Sequence, residues 1–299
     1  MKFIRLLLSC LILAFTWNVS SQEQKSYYYV AIIDRFYPPM EAFESEDDKT
    51  QHRWMYGVVD IDKDYQKEAY YHGDMVQLIA NDPSFVFLRY PLAGQRSPMK
   101  EILMAINSIN DRFERTPIDS LVLSWESSTL ISAFDQPLSR KYREKYIETI
   151  RQWGEENPSW HDTYLVIKAL EALTDKGVQV FTIAGNSGAR AINTLSFAKG
   201  VTTVGAAEKE LNYFISDNVF VDTYEQAAYQ FIRLDDRNGV PLGYDVDGDG
   251  CQDIPISALT SSDKTQLPKA TWPPIKGSSF AAPMALKKAF VKNTAHCPS

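Results

Sequence analysis

Cysteine is scarce in this chain: three residues in 299. Cys10 lies in an N-terminal apolar run, which leaves Cys251 and Cys297 for the rest of the protein. With His296 they lack the paired spacing of a zinc site. In an oxidising compartment an even pair reads as a disulfide, Cys251 to Cys297. Positive charge is short as well, 31 Lys and Arg against 38 Asp and Glu, for a net charge of −7. Such a balance argues against nucleic acid or an anionic membrane as partner. Long apolar runs are missing beyond Leu6 to Phe15, so the chain after that run should be soluble and outside the membrane. There is no internal repeat and no low-complexity linker to divide it.

The one apolar run belongs to an export signal. Lys2 and Arg5 precede it, and Val19 and Ser21 are small residues placed for cleavage before Gln22. Removing residues 1–21 takes away two positive charges and no acid, moving the net charge from −7 to −9. The expected destination is the periplasm or the medium. What remains, 22–299, is ample for a sizeable core and reads as a single domain.

That remainder alternates strand and helix. Tyr27 to Ile33 is a β-branched and aromatic run of the kind that fills a parallel strand buried on both faces. Ser84 to Tyr90, Leu121 to Ser124, Val178 to Ala184 and Val201 to Val204 repeat the pattern. Ile102, Leu103, Ile106, Ile109 and Phe113 share one helical face; RKYREKYIETIRQW from Arg140 and YLVIKALEAL from Tyr164 read as further helices. Alternation of this kind predicts a parallel sheet covered on both faces. Leu211 to Leu267 is less regular and reads as strands and loops.

The most informative string is GSSFAAP, Gly277 to Pro283, opening the helical stretch ALKKAFVK. A serine at such a junction sits beside free backbone N–H groups and the positive end of the helix, where a developing oxyanion is favoured. Pro283 suits a first helical turn. A serine hydroxyl also needs a base, and the base an orienting acid. Of the four histidines, His52 lies in an acidic loop, His161 begins a helix and His296 adjoins Cys297. His72, in YHGDMVQLIA, is the polar entry to an apolar segment. Asp34 ends the first strand, YYYVAIID, where sites form in open parallel sheets. VQVFTIAGNSGA, Val178 to Ala189, carries Asn186 on a Gly-Asn-Ser-Gly turn.

These blocks resemble those of the subtilisin-like serine peptidases, the subtilases. Five of the seven positions of GSSFAAP match the family's G-T-S-M-A-A-P. Ala184 to Gly188 match its A-G-N-S-G, and His72, Gly73 and Val76 match H-G-T-H-V-A-G. Asp34 stands in a strand similar to V-A-V-I-D-[ST]-G, with Arg35 and Phe36 in place of its last two residues. The order Asp, His, Asn, Ser is the family's order. The resemblance implies that Asp34, His72 and Ser279 are the catalytic triad and Asn186 an oxyanion donor. It implies that Ser124, Trp125 and Glu126, similar to S-[LW]-G, hold the substrate backbone. Glu126 replaces a glycine that lets a substrate approach; its side chain would narrow that wall, favour a basic residue or point to solvent.

DVDGDGCQD places Asp245, Asp247, Asp249 and Asp253 at positions 1, 3, 5 and 9 of a loop with Gly250 at 6. This is the first part of an EF-hand-type loop and predicts a structural Ca2+, though Ile256 stands where the bidentate glutamate would be. DIDKD, Asp60 to Asp64, is a weaker match, and EAFESEDDK from Glu41 reads as a solvated loop.

The expectation is therefore an α/β, subtilisin-like three-layer sandwich with a mostly parallel central sheet. Its expected activity is that of an exported serine endopeptidase acting on a protein or peptide, with no organic cofactor. Subtilases usually carry a folding pro-domain before the aspartate, whereas only Gln22 to Ile33 intervene here. Either the fold forms unaided or a separate chain helps or inhibits it. The alternative is a subtilase-like scaffold that binds a protein partner with little turnover.

Overall fold

A computed structural model describes residues 27–37, 60–62, 65, 68–259 and 267–291. The export signal, the acidic loop from Glu41, His52, Asp64, His296 and Cys297 lie outside the described residues. Six parallel strands form the central sheet in the order β2-β1-β3-β5-β7-β8. They are β1 (Tyr28–Asp34), β2 (Phe85–Pro91), β3 (Ser120–Leu123), β5 (Gln179–Ile183), β7 (Thr202–Ala206) and β8 (Thr223–Glu225). The short strands β4 (Ser128–Leu130) and β6 (Ala191–Asn193) pair antiparallel beside it.

Alternation along β1 builds two cores. Ala31 and Ile33 face one way, where α2 (Pro98–Arg112), α3 (Arg143–Trp153) and α4 (Pro158–Asp175) supply Ile102, Ile106, Ile150, Val166 and Leu170. Val30 and Ile32 face the other way, against Val76 of α1 (His72–Ala80) and Ala281, Ala282, Ala285 and Leu286 of α5 (Ser278–Phe290). Small alanines on α5 let it lie close over the sheet. The result is the three-layer α/β arrangement that the alternation predicts.

The irregular region forms a third core. Tyr229, Phe231, Tyr244 and Ile254 pack on Met75 and Ile79 of α1 and on Phe280 of α5. They come from β9 (Ala228–Tyr229), the sheet of β10 (Ile232–Asp235), β11 (Pro241–Asp245) and β12 (Ile254–Pro255), and the segments between them. β13 (Ile275–Lys276) pairs with β9 and delivers the chain to α5. No described helix is long and apolar enough to cross a membrane.

The sheet order sets the place of the site. The chain leaves β1 for β2 on one side and returns to β3 on the other. The carboxyl ends of β1 and β3 therefore flank a switch point, where open α/β sheets leave a crevice. Asp34 closes β1, Ser124 follows β3, and the Asn186 turn follows β5.

Candidate active site

Asp34 is fully buried at the end of β1. One of its oxygens accepts from the Arg35 N–H at 2.7 Å, and both lie close to His72 Nδ1, at 2.9 and 2.8 Å. A carboxylate accepts, so Nδ1 is the ring nitrogen that donates to this pair, which in a neutral imidazole leaves the lone pair on Nε2. His72 is the first residue of α1. The helix start comes this close because the next residue is Gly73: a Cβ there would stand 2.7 Å from the Arg35 carbonyl oxygen and from Asp34 Cβ. Gly73 N–H donates to that same carbonyl at 2.8 Å.

Asp74, where the family pattern has threonine, caps the helix. It accepts from the Tyr71 and Tyr37 N–H groups at 2.9 and 2.8 Å and pairs with Arg89 at 3.0 Å. The Arg89 guanidinium covers the Phe36 ring at 4.6 Å. The residues that depart from the family pattern after Asp34 and His72 are thus bound into the wall behind the pair.

Ser279 is the second residue of α5 and is nearly buried. Its hydroxyl donates to the Ser124 carbonyl at 3.3 Å, and the Ser124 hydroxyl donates back to the Ser279 carbonyl at 2.9 Å. Pro283 explains the second bond. It does not sit in the first turn, as its sequence context suggests, but inside the helix. Having no N–H, it leaves the Ser279 carbonyl, four residues back, without its helical donor. Ser124 fills the vacancy and stitches β3 to α5.

Asn186 faces the same junction. Its Oδ1 accepts from the Ser278 N–H at 2.9 Å and the Ser278 hydroxyl at 3.0 Å. A backbone N–H only donates, so the amide must present oxygen to Ser278 and Nδ2 elsewhere. Among the described residues, neither Asn186 Nδ2 nor the Ser279 backbone N–H has an acceptor. Both donors belong to residues that line the same cleft, one of them at a helix N-terminus, and donors of this kind suit an oxyanion.

His72, Asn186 and Ser279 share one cleft of about 990 Å³, walled by Trp125, Ile183, Phe214, Trp272, Ile275 and Phe280. On its edge the Glu126 backbone N–H and C=O bond to no described residue. Its carboxylate is half-buried and turned onto the neighbouring loop rather than simply out to solvent. It accepts from the Asn186 N–H at 2.7 Å and the Ser128 and Ser187 hydroxyls at 2.9 and 3.2 Å.

Sequence reasoning missed Asn193. Fully buried, it donates to the Trp125 and Ile183 carbonyls at 3.2 and 2.8 Å and accepts from the Ser127 N–H at 3.1 Å. It fixes the segment after β3 against β5. An asparagine between two short runs gives no local sign of this.

No protein-family model matches the sequence, and no curated protein matches it. Solved structures resemble it in fold. The epidermin leader peptide processing serine protease EpiP from Staphylococcus aureus is 11% identical, with a TM-score of 0.48 over 89% of this chain. The chain spans 65% of that protein. A lanthipeptide protease is 15% identical (TM-score 0.44, 90% of this chain and 75% of that one). The PatG macrocyclase in complex with peptide is 11% identical (TM-score 0.45, 88% and 74%).

Two groups of three carboxylates converge among the described residues. Oxygens of Asp245, Asp247 and Asp253 lie within 4.8 Å of one another. Asp249 stands outside this group: its carboxylate accepts from the Cys251 N–H at 2.8 Å and approaches Lys287 at 3.5 Å. Lys287, on α5, pairs with Asp247 at 2.5 Å, both side chains nearly buried. The loop is thereby tied to the helix that carries Ser279. Cys251 is 9% exposed.

The second group is Asp60, Asp62 and Glu68. Glu68 is 2% exposed; one oxygen accepts from the Ile61 N–H at 2.9 Å, and the other has no partner among the described residues. Burial pushes its carboxyl from 4.5 up to about 7, with Asp62 and Asp60 adding to the rise against the Ile61 N–H. The folded state holds a proton there that the unfolded chain releases. That stabilisation is complete below about pH 4.5 and is lost as pH rises through about 7. Glu68→Gln keeps an acceptor for Ile61 and cannot ionise. Its melting temperature should match wild type near pH 4 and exceed it above pH 7. Parallel melting curves across that range would refute the assignment.

Proposed function

We propose that the chain is an exported serine endopeptidase of the subtilisin type. One observation carries the reading: Ser279, at the start of α5, shares one cleft with His72, whose Nδ1 is held by Asp34, and with Asn186, whose Nδ2 has no acceptor among the described residues. In this reading Ser279 Oγ attacks the substrate carbonyl and His72 Nε2 takes its proton. Asp34 holds the imidazole in the tautomer that makes this possible. The Ser279 N–H and Asn186 Nδ2 receive the oxyanion. His72 returns the proton to the leaving amine, and water releases the acyl group by the same steps.

The Glu126 backbone groups, which bond to no described residue, suit an extended peptide laid along the wall at Ser124, Trp125 and Glu126. Aromatic and aliphatic side chains make up much of the lining, with Asp60 and Glu126 on it as well, so the cleft offers an apolar wall for a substrate side chain and two acidic groups at its margin. A peptide substrate needs no organic cofactor here. Residues 1–21 act as the export signal in this reading, leading to the periplasm or medium, and a separate folding-helper or inhibitor chain stays within it. Labelling of the purified chain by a serine-directed fluorophosphonate, together with cleavage of denatured casein, tests the activity directly.

We further infer that Asp245, Asp247 and Asp253 hold a structural Ca2+. Burial, with Asp247, Asp249 and Asp245 adding to it against the Val246 N–H, pushes Asp253 up to about 7. That cost would be relieved by a cation, and three converging carboxylates fit Ca2+. Lys287 supplies only part of the neutralisation. A Cys251–Cys297 bond would tie this loop to the chain beyond α5; it would close a loop of about 45 residues, worth ~3–4 kcal/mol in the chain-entropy model. Chelation should lower the melting temperature, and reduction should lower it further. A chelator-insensitive melting curve counts against the cation; two free thiols in peptide maps of exported protein count against the bond.

A further inference from the structure

Glu126 holds the strongest unassigned position beside the cleft. The turn after β5 presents Asn186, and its placement depends on bonds to three other segments. Gly185 C=O accepts from the Ser216 N–H at 2.9 Å, and Gly188 N–H donates to the Phe214 carbonyl at 2.7 Å. These bonds flank Asn186 without touching it. Its side-chain oxygen is held by Ser278. Its backbone N–H has a single partner among the described residues, Glu126 Oε2 at 2.7 Å. The same oxygen accepts from the Ser128 hydroxyl, and the other from the Ser187 hydroxyl. Gly185, at φ +103°, completes the fit: a Cβ there would stand 2.4 Å from Glu126 Oε2. The carboxylate and the turn are shaped to each other.

We propose that Glu126 is a positioning residue, holding the Asn186 backbone so that Nδ2 faces the oxyanion. This rests on the peptidase reading above. The chemistry favours a carboxylate for the task. Three donors converge on it from β4 and the turn after β5, and an ionised acceptor makes shorter and stronger bonds than a neutral one. Without it the Asn186 N–H loses its partner, and the turn is free to shift between its two outer anchors. A displacement of about 1 Å at a reacting group costs ~10²-fold in rate. The loss should fall on kcat, because the oxyanion forms only in the transition state.

Three measurements on the full chain test this. Glu126→Ala should lower kcat by ~10²-fold with KM within about 3-fold of wild type. Glu126→Gln, which keeps an acceptor for Asn186, should recover most of that loss. In an Asn186→Leu background, Glu126→Ala should cost less than about 3-fold more, since both changes remove one effect. Hydrogen exchange read by mass spectrometry provides the arm that needs no activity. Peptides covering Ile183 to Gly188 should exchange faster in Glu126→Ala while those of β1 and α4 stay unchanged. Unchanged exchange in the turn, a loss confined to KM, or fully additive losses would each overturn the proposal. If the wild type neither labels nor cleaves, the peptidase reading falls, and the exchange arm alone decides whether Glu126 holds the turn.

Discussion

Ser279→Ala is expected to abolish fluorophosphonate labelling and to lower casein hydrolysis by about 10⁶-fold. The scale is borrowed from subtilisin, where loss of the nucleophile costs about that much in kcat. The fold should survive the change. The Ser279 hydroxyl makes one bond, at 3.3 Å, to the Ser124 carbonyl, while the reciprocal bond uses the Ser279 backbone carbonyl and is untouched. Circular dichroism and melting temperature should therefore match wild type. His72→Ala should fall equally far, and the double variant no further, because nucleophile and base act as one unit. Labelling that persists in Ser279→Ala would remove Ser279 from the role. A folded wild type that neither labels nor cleaves unrelated proteins would sink the peptidase reading and return weight to the binding scaffold.

The fold was legible where burial leaves a simple pattern. The apolar runs at Tyr27, Ser84, Leu121, Val178 and Val201 lie within one or two residues of β1, β2, β3, β5 and β7. The inner strands β1, β3 and β5 are buried along most of their length, so the apolar run itself is the signal, while the edge strand β2 buries only Phe85 and shows itself by its aromatic and β-branched residues. The helical face of Ile102, Ile106 and Ile109 packs as its spacing requires. Leu211 to Leu267 reads as strands and loops without individual bounds, because strands of two to five residues carry little period.

The site was legible as motifs but not as a network. Asp34, His72, Asn186 and Ser279 stand out because their neighbours are unusual strings. Glu126 stands out only as a replacement for glycine, and its bonding to Asn186 and Ser187 does not, since they lie 60 and 61 residues away. Lys287 reads as one of two adjacent lysines on a helix, and only the fold brings it to Asp247, 40 residues back. Pro283 was misplaced for a related reason. Its missing N–H makes a first turn the economical guess, and the carbonyl it abandons is rescued by a serine 155 residues earlier in the chain. In each case one polar partner is local and visible while the other arrives through the tertiary fold.

Asn186→Leu is expected to lower kcat by ~10²–10³-fold with KM nearly unchanged, the cost of one oxyanion donor. Leucine also removes the acceptor for Ser278 N–H and Oγ, so a fall in activity alone would mix two effects. Asn186→Asp separates them. The aspartate keeps an oxygen for Ser278 and the backbone bond to Glu126, so the turn and the start of α5 stay braced. What changes is the atom facing the cleft, where an acceptor bearing negative charge replaces a donor. If Asn186 acts by donating to the oxyanion, Asn186→Asp should lose at least as much kcat as Asn186→Leu while melting closer to wild type. If it acts by bracing Ser278, Asn186→Asp should keep most of the activity that Asn186→Leu loses. The ratio of the two kcat values, measured beside their melting temperatures, decides between these roles.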